Sequence, residues 1–223
     1  MLERLELLIG KDNINRIKKT NILVLGLGGV GGYVVESLIR SGIENITIVD
    51  YDSIELSNLN RQIITNFDNI GNLKTTEIKK RILSINKDVK IRIINEFIDL
   101  NNIDLLFNDI DYLIDCCDTV NTKKIVIKQC LEKNTKFITC LGTGNKLDPE
   151  KLEIIDIRKT SYDPLAKKLR NWVEKEKIKG KIMCCSSTEV PINTSTKTIG
   201  STSFVPGSAG LLIASYVIKD IIN

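Results

Sequence analysis

Apolar and polar positions follow two rhythms along the first 140 residues. Short, nearly unbroken apolar runs at Asn21–Leu25, Ile46–Val49, Lys90–Asn95, Tyr112–Asp115 and Phe137–Cys140 predict strands covered on both faces. Between them, apolar residues recur at helical spacing over Tyr33–Arg40, Lys74–Ser84, Asn101–Phe107 and Thr122–Glu132. Strands alternating with helices predict a Rossmann-like α/β fold: a doubly wound, mainly parallel sheet with helices on both faces. An amphipathic segment (Leu2, Leu5, Leu7, Leu8, Ile9) and a short helix, Asn13–Lys18, precede the first strand. After Cys140 the rhythm changes. Gly142-Thr-Gly144 opens a loop, and Leu152–Ile157 and Ile182–Cys185 read as strands flanking a basic helix. They are expected to extend the sheet, antiparallel pairing included. Ala209–Ile222 reads as a final helix after Pro206-Gly207. With no repeat or linker, one domain over residues 1–223 is expected.

Composition narrows the chemistry. The 223 residues, 42% hydrophobic and 27% charged, suit one sizeable core. Charged or amide residues interrupt every apolar run short of the ~18 residues of a membrane span, and the Met-Leu-Glu-Arg start carries no signal pattern. A cytoplasmic protein without membrane contact is the expectation. There is no histidine, which excludes Ser-His-Asp triads, Cys-His dyads and His-containing metal sites. The six cysteines form no C-x-x-C, so no zinc is expected, and Cys116, Cys130 and Cys140 read as buried structural residues. The net charge of +4 is concentrated: residues 166–181 hold seven cations against Glu174 and Glu176.

Gly26, Gly28 and Gly31 form G-x-G-x-x-G between a strand and a helix, where phosphates can meet backbone N–H groups and the positive end of a helix. Asp50 ends the next strand, placed to accept hydrogen bonds from ribose hydroxyls. This pattern alone suits NAD, FAD, an S-adenosylmethionine-type ligand or ATP equally. The run from Asp50 through Asp52, Asn58, Asn60, Arg61 and Gln62, followed by Lys74 and by Asp118 beyond a later strand, favours ATP. Cations neutralise a triphosphate and a carboxylate can hold Mg²⁺, whereas hydride transfer gains little from such a set.

GLGGVGG, VDYD, SNLNRQ, Lys74 and DCCDT together resemble the E1-like adenylating superfamily (the ThiF type), whose enzymes activate a carboxylate as its acyl-adenylate. The resemblance implies a nucleotide site of Gly26, Gly28, Gly29, Gly31, Asp50, Asp52, Asn58, Arg61, Lys74 and Asp118. Within it Arg61, Lys74 and Asp118 would be catalytic and Asp118 would sit at the magnesium. It also implies a homodimer in which Arg4 reaches the mate's nucleotide.

The second half, with Asn145-Lys146-Leu-Asp148-Pro149, Asp163-Pro164-Leu-Ala-Lys167 and Gly200-Ser-Thr-Ser-Phe-Val-Pro206, is similar to one branch, the tRNA threonylcarbamoyladenosine dehydratases. That branch implies ATP-dependent cyclisation of N6-threonylcarbamoyladenosine at position 37 of ANN-decoding tRNAs, with room for a sulfur-relay protein as a further partner. The basic helix then supplies a candidate RNA surface at Lys167, Lys168 and Arg170. Cys184 or Cys185 is a candidate thiol nucleophile, and Asp118 and the thiols are candidate bases for ring closure. Three rival functions stand beside this: adenylation of a ubiquitin-like sulfur carrier, a nucleotide-sensing scaffold, and an NAD-dependent dehydrogenase.

Overall fold

The computed structural model describes residues 1–193 and 198–223. Two N-terminal helices, α1 (Glu3–Ile9) and α2 (Lys11–Lys19), lead into β1 (Asn21–Leu25), α3 (Gly31–Arg40) and β2 (Asn45–Val49). Then come α4 (Lys74–Ile85), β3 (Lys90–Ile94), β4 (Tyr112–Asp115), α5 (Val120–Glu132) and β5 (Lys136–Cys140). The chain closes with β6 (Leu152–Asp156), α6 (Pro164–Lys175), β7 (Met183–Ser187) and α7 (Phe204–Ile222). The strands form one sheet in the order β3-β2-β1-β4-β5-β7-β6. All neighbours are parallel except the edge strand β6, which runs antiparallel to β7.

Alternate residues of β1 supply opposite layers. Ile22 and Val24 join a core with residues of α2, α3, α4 and α7, while Leu23 and Leu25 pack toward Val126 and Cys130 of α5. A third cluster places Leu169 and Val173 of α6 against Cys184 and Ile182. Both faces of the central strands are therefore apolar, which is why they read as continuous runs rather than alternating ones.

Several expectations change. The segment read as a helix from Asn101 is a 3₁₀ turn over Ile103–Phe107; the loop before it is held by Asp99 and Asn102 side chains bonding backbone, a local competitor of helix. The basic helix ends at Lys175, so Lys177, with φ 50°, Lys179 and Lys181 lie beyond it. Among the described residues α7 is the one helix long and apolar enough to cross a membrane by length and composition, with its apolar run broken, as expected, at Lys219 and Asp220. Its apolarity has a core explanation: Val205, Ala209, Ile213, Ala214 and Val217 are fully buried. The helix also begins five residues early, because Pro206 sits in its first turn, where a missing N–H costs nothing.

Candidate functional site

The chain leaves β1 toward β2 and β3 on one side and returns at β4 on the other, so the sheet order reverses between β1 and β4. Loops at the carboxyl ends of those strands diverge and leave a crevice, the place where open α/β sheets bind ligands. A cavity of about 650 Å³ opens there.

Its floor is the glycine loop. Gly26 has φ +87°, and a Cβ on it would lie 2.8 Å from the Cys117 amide nitrogen, so only glycine lets β1 pass the β4 turn. A Cβ on Gly31 would fall 1.8 Å from the Gly26 carbonyl oxygen. Gly28, by contrast, faces open space, with only Gln62 at 3.8 Å from where its Cβ would be, which leaves room for a ligand's phosphates. α3 starts beyond the loop with no side-chain cap, so its first N–H groups are not taken by a capping side chain.

Asp50 lies at the end of β2, 7% exposed. Its Oδ2 accepts from the Leu27 amide at 2.7 Å and its Oδ1 from the Asp52 amide at 2.8 Å. Burial raises its pKa above the usual carboxylate value, with Lys74 and the two amides opposing the rise. A carboxylate has about four acceptor positions, so half of them remain for hydroxyl donors. Lys74 is distant in sequence, yet a bridge between Ser53 and Leu73 closes the intervening excursion and returns it. Its Nζ donates to Asp52 Oδ2 at 2.6 Å and sits 4.0 Å from Asp50 Oδ1.

The excursion also presents Arg61. Asn58, 7% exposed, accepts from the Glu55 amide and caps a single 3₁₀ turn, Leu56–Asn58. Arg61 Nη1 donates to the Ser57 carbonyl at 2.8 Å and to Asn60 Oδ1 at 3.0 Å. The Nε and Nη2 edge of the guanidinium makes no hydrogen bond to the described residues, which leaves a planar fork for phosphate oxygens. Gln62, outside the nucleotide site that the resemblance implies, belongs to this cavity too. It lines the cavity 5% exposed, and its Oε1 has no hydrogen-bond partner among the described residues. A buried acceptor of this kind awaits a ligand donor; the only sequence signal for it was adjacency to Arg61.

On the β4 side, Asp118 is exposed at the cavity, reached by the Thr119 hydroxyl at 3.4 Å. The turn carrying it rests on a group that sequence reasoning missed. Asp115 Oδ2 accepts from Lys123 Nζ at 2.9 Å and from the Thr139 hydroxyl at 2.7 Å, all three side chains being fully buried, while Asp115 Oδ1 takes the Cys117 amide.

The thiols do not behave as expected of nucleophiles or bases. Cys184 is wholly buried on β7 beneath α6, its Sγ donating to the Ile155 carbonyl at 3.2 Å, and burial pushes its pKa far up. It does not line the cavity, and neither does Cys185, whose pKa is raised by its contact with Cys140 and by burial. Buried and off the cavity, Cys184 does not fit the nucleophile expected there, since the thiolate is the reactive form. Cys116 and Cys117 reach the cavity, but burial lifts both above the ordinary thiol value, which argues against either as the base for ring closure. The basic face also shrinks. Lys167 and Lys168 are exposed, and Lys168 borders the cavity, whereas Arg170 Nη1 is half-buried and spent on the Thr160 carbonyl and hydroxyl at 2.8 and 2.6 Å. Arg170 is a structural tie rather than part of an RNA surface.

A family model described as the ThiF family matches residues 2–223. The tRNA threonylcarbamoyladenosine dehydratase of Bacillus subtilis is 34% identical, over 99% of this chain and 94% of that protein. The crystal structure of Escherichia coli tRNA N6-threonylcarbamoyladenosine dehydratase, TcdA, in complex with AMP matches with a TM-score of 0.92 at 30% identity, covering 97% of this chain and 91% of that one. Its complex with ATP matches with a TM-score of 0.91. A probable molybdopterin-synthase adenylyltransferase of Porphyra purpurea is 38% identical, but over 53% of this chain and 31% of that protein.

Proposed function

Because the chain belongs to the ThiF family, we propose that it is an ATP-dependent tRNA threonylcarbamoyladenosine dehydratase, a single adenylating unit over residues 1–223 acting in the cytoplasm. The observation that carries this reading is end-to-end similarity to a dehydratase whose solved structures hold AMP and ATP, joined to a cavity with a glycine floor, a half-satisfied buried carboxylate and a guanidinium edge unbonded among the described residues. The match to the molybdopterin-synthase adenylyltransferase covers only 53% of this chain and favours the sulfur-carrier alternative less.

The substrate's threonyl carboxylate, with an ordinary pKa near ~4, is already ionised at neutral pH and needs no base to attack the α-phosphate. A carboxylate O–P bond forms, the bond to the β-phosphate oxygen breaks, and pyrophosphate leaves. The carbamoyl group then closes on the acyl carbon, expels AMP and releases its nitrogen proton. Asp50 would hold the ribose, Gly28 and Gly29 the phosphates, and Arg61 and Lys74 the charge of the leaving pyrophosphate. Lys74 has two donors left after Asp52. An exposed carboxylate beside a hydroxyl suits Mg²⁺, which is commonly held by one carboxylate and the nucleotide's own phosphates; Asp118 and Thr119 would take it, and it would supply further neutralisation. Incubation with ATP, Mg²⁺ and tRNA carrying the modification should lower the nucleoside's mass by one water. An unchanged mass with folded enzyme rejects the function.

Two further parts belong to the reading. Lys167 and Lys168 meet tRNA phosphates, so replacing both by alanine should weaken tRNA binding and reduce the log–log salt slope by about 2; an unaltered slope rejects this face. The protein acts as a homodimer through α1, which buries none of its residues and leaves Leu7 88% and Leu8 79% exposed. Light scattering should read twice the chain mass, and Leu7→Glu with Leu8→Glu should halve it; a monomeric native chain removes the dimer.

A further inference from the structure

The nucleotide groups occupy one wall of the cavity, between β1, β2 and β4. The opposite wall, built by the loop after β5 and the start of α6, includes Gly142–Lys146, Asp163 and Leu165. One charged side chain there is unexplained. Lys146 lines the cavity at 2% exposure, and the one hydrogen bond of its ammonium among the described residues is a long one, 3.4 Å to the Ser187 carbonyl. No carboxylate among the described residues lies within 4.0 Å of it.

The carboxylates facing Lys146 are already occupied. Asp163 caps α6, Oδ1 accepting from Leu165 and Ala166 amides at 2.7 and 3.1 Å, while Oδ2 takes the Gly142 amide at 2.7 Å. Glu189 accepts the Leu147 amide on both oxygens and the Asp148 amide at 2.9 Å. Both therefore shape the loop that carries Lys146 without pairing with it. Burial draws its pKa below the ordinary lysine value, against the pull of Asp163, Glu189 and the Cys140 and Cys185 thiols. A buried cation with two donors unspent and no counter-ion among the described residues is costly unless a ligand brings the charge.

We infer that Lys146 is the contact for the carboxyl group that is activated: it receives the oxygen that does not attack phosphorus and keeps it through the acyl-adenylate. The two walls then divide the ligands, triphosphate on one side and acid on the other. During ring closure the same ammonium faces the oxygen on which negative charge develops, the situation in which a preorganised donor does most. The inference rests on the dehydratase reading for the identity of that acid.

The test uses full-length enzyme, ATP and tRNA bearing threonylcarbamoyladenosine, with Lys146→Met and Lys146→Gln. Three quantities are read: ATP affinity without tRNA, tRNA-dependent pyrophosphate release, and Tm of the ligand-free protein. Lys146→Met should leave ATP affinity within about twofold and lower kcat/KM for tRNA about 10²-fold. It should also hold or raise Tm, because it removes an unpaired buried charge at similar volume. Lys146→Gln, which keeps a donor, should recover part of the turnover. Turnover within threefold of wild type in the Met variant, parallel loss of ATP affinity, or a lowered Tm or failure to fold would each overturn the inference, the last by making Lys146 a structural residue. Wild-type enzyme that releases no pyrophosphate with modified tRNA overturns the dehydratase reading itself, and the acid assigned to Lys146 goes with it.

Discussion

Arg61→Ala should lower tRNA-dependent pyrophosphate release about 10³-fold while shifting unfolding stability by less than about 1 kcal/mol. The expectation follows from how the side chain is held. One nitrogen, Nη1, is fastened to the Ser57 carbonyl and to Asn60, so the guanidinium plane is set before any ligand arrives. Its remaining edge is left for phosphate oxygens, and as pyrophosphate departs negative charge grows on those oxygens. A cation already in position gains more interaction in the transition state than in the ground state, which is what raises kcat rather than merely lowering KM. The protein itself loses only a half-exposed turn contact. Arg61→Lys should recover little, because an ammonium offers a point charge where the site offers a bidentate fork. Single-turnover measurement of acyl-adenylate formation and a thermal melt read both halves of the prediction. A large drop in Tm, or an Ala variant within tenfold of wild type, would mean that the guanidinium serves the loop and not the phosphates.

What the sequence disclosed depended on whether a residue's environment is set locally. The central strands were legible because burial on both faces forces unbroken apolar runs, and Ile22, Leu23, Val24 and Leu25 each go to a core. Asp50 and the glycines were legible because strand, turn and helix succeed one another within a single βαβ unit. Lys74 was found by pattern, but its closeness to Asp50 depends on the Ser53–Leu73 bridge, which no periodicity announces. Burial of polar residues was the main failure. Lys123 stands next to Lys124 on a weakly amphipathic helix, and nothing local says that one is wholly buried; its partners lie on two different strands. Lys146, Asp163 and Glu189 escaped for the same reason, since a loop's charge reads as solvated until its long-range contacts are known. Cys184 erred in the opposite sense: it was expected as a thiol nucleophile, while β7 sends Cys184 and Cys185 to opposite faces of the sheet, both covered by core.

Lys123→Met should cost about 3–5 kcal/mol, the largest stability loss expected here, because it leaves the Asp115 carboxylate buried without its counter-ion. For a chain of this length that corresponds to a fall in Tm of roughly 10 °C. Burial opposes the charge on Lys123, but Asp115 and its neighbours outweigh it and hold the pKa above the ordinary lysine value. Since a raised lysine pKa contributes stability that is complete below the unfolded value and lost only as pH climbs past the folded one, the penalty should not vary between about pH 6 and 9. Pairing the change with Asp115→Asn should restore most of the loss: the amide oxygen can still accept from the Cys117 amide, and no buried charge remains. Thermal melts of the two single variants and the double variant give the coupling directly. If the double variant is as unstable as the sum of the singles, the ion pair is not what holds the β4 turn. Recovery would instead place the loss in the orphaned charge. It would also predict that the repaired protein regains nucleotide binding, because Asp118 hangs from the turn that Asp115 fixes.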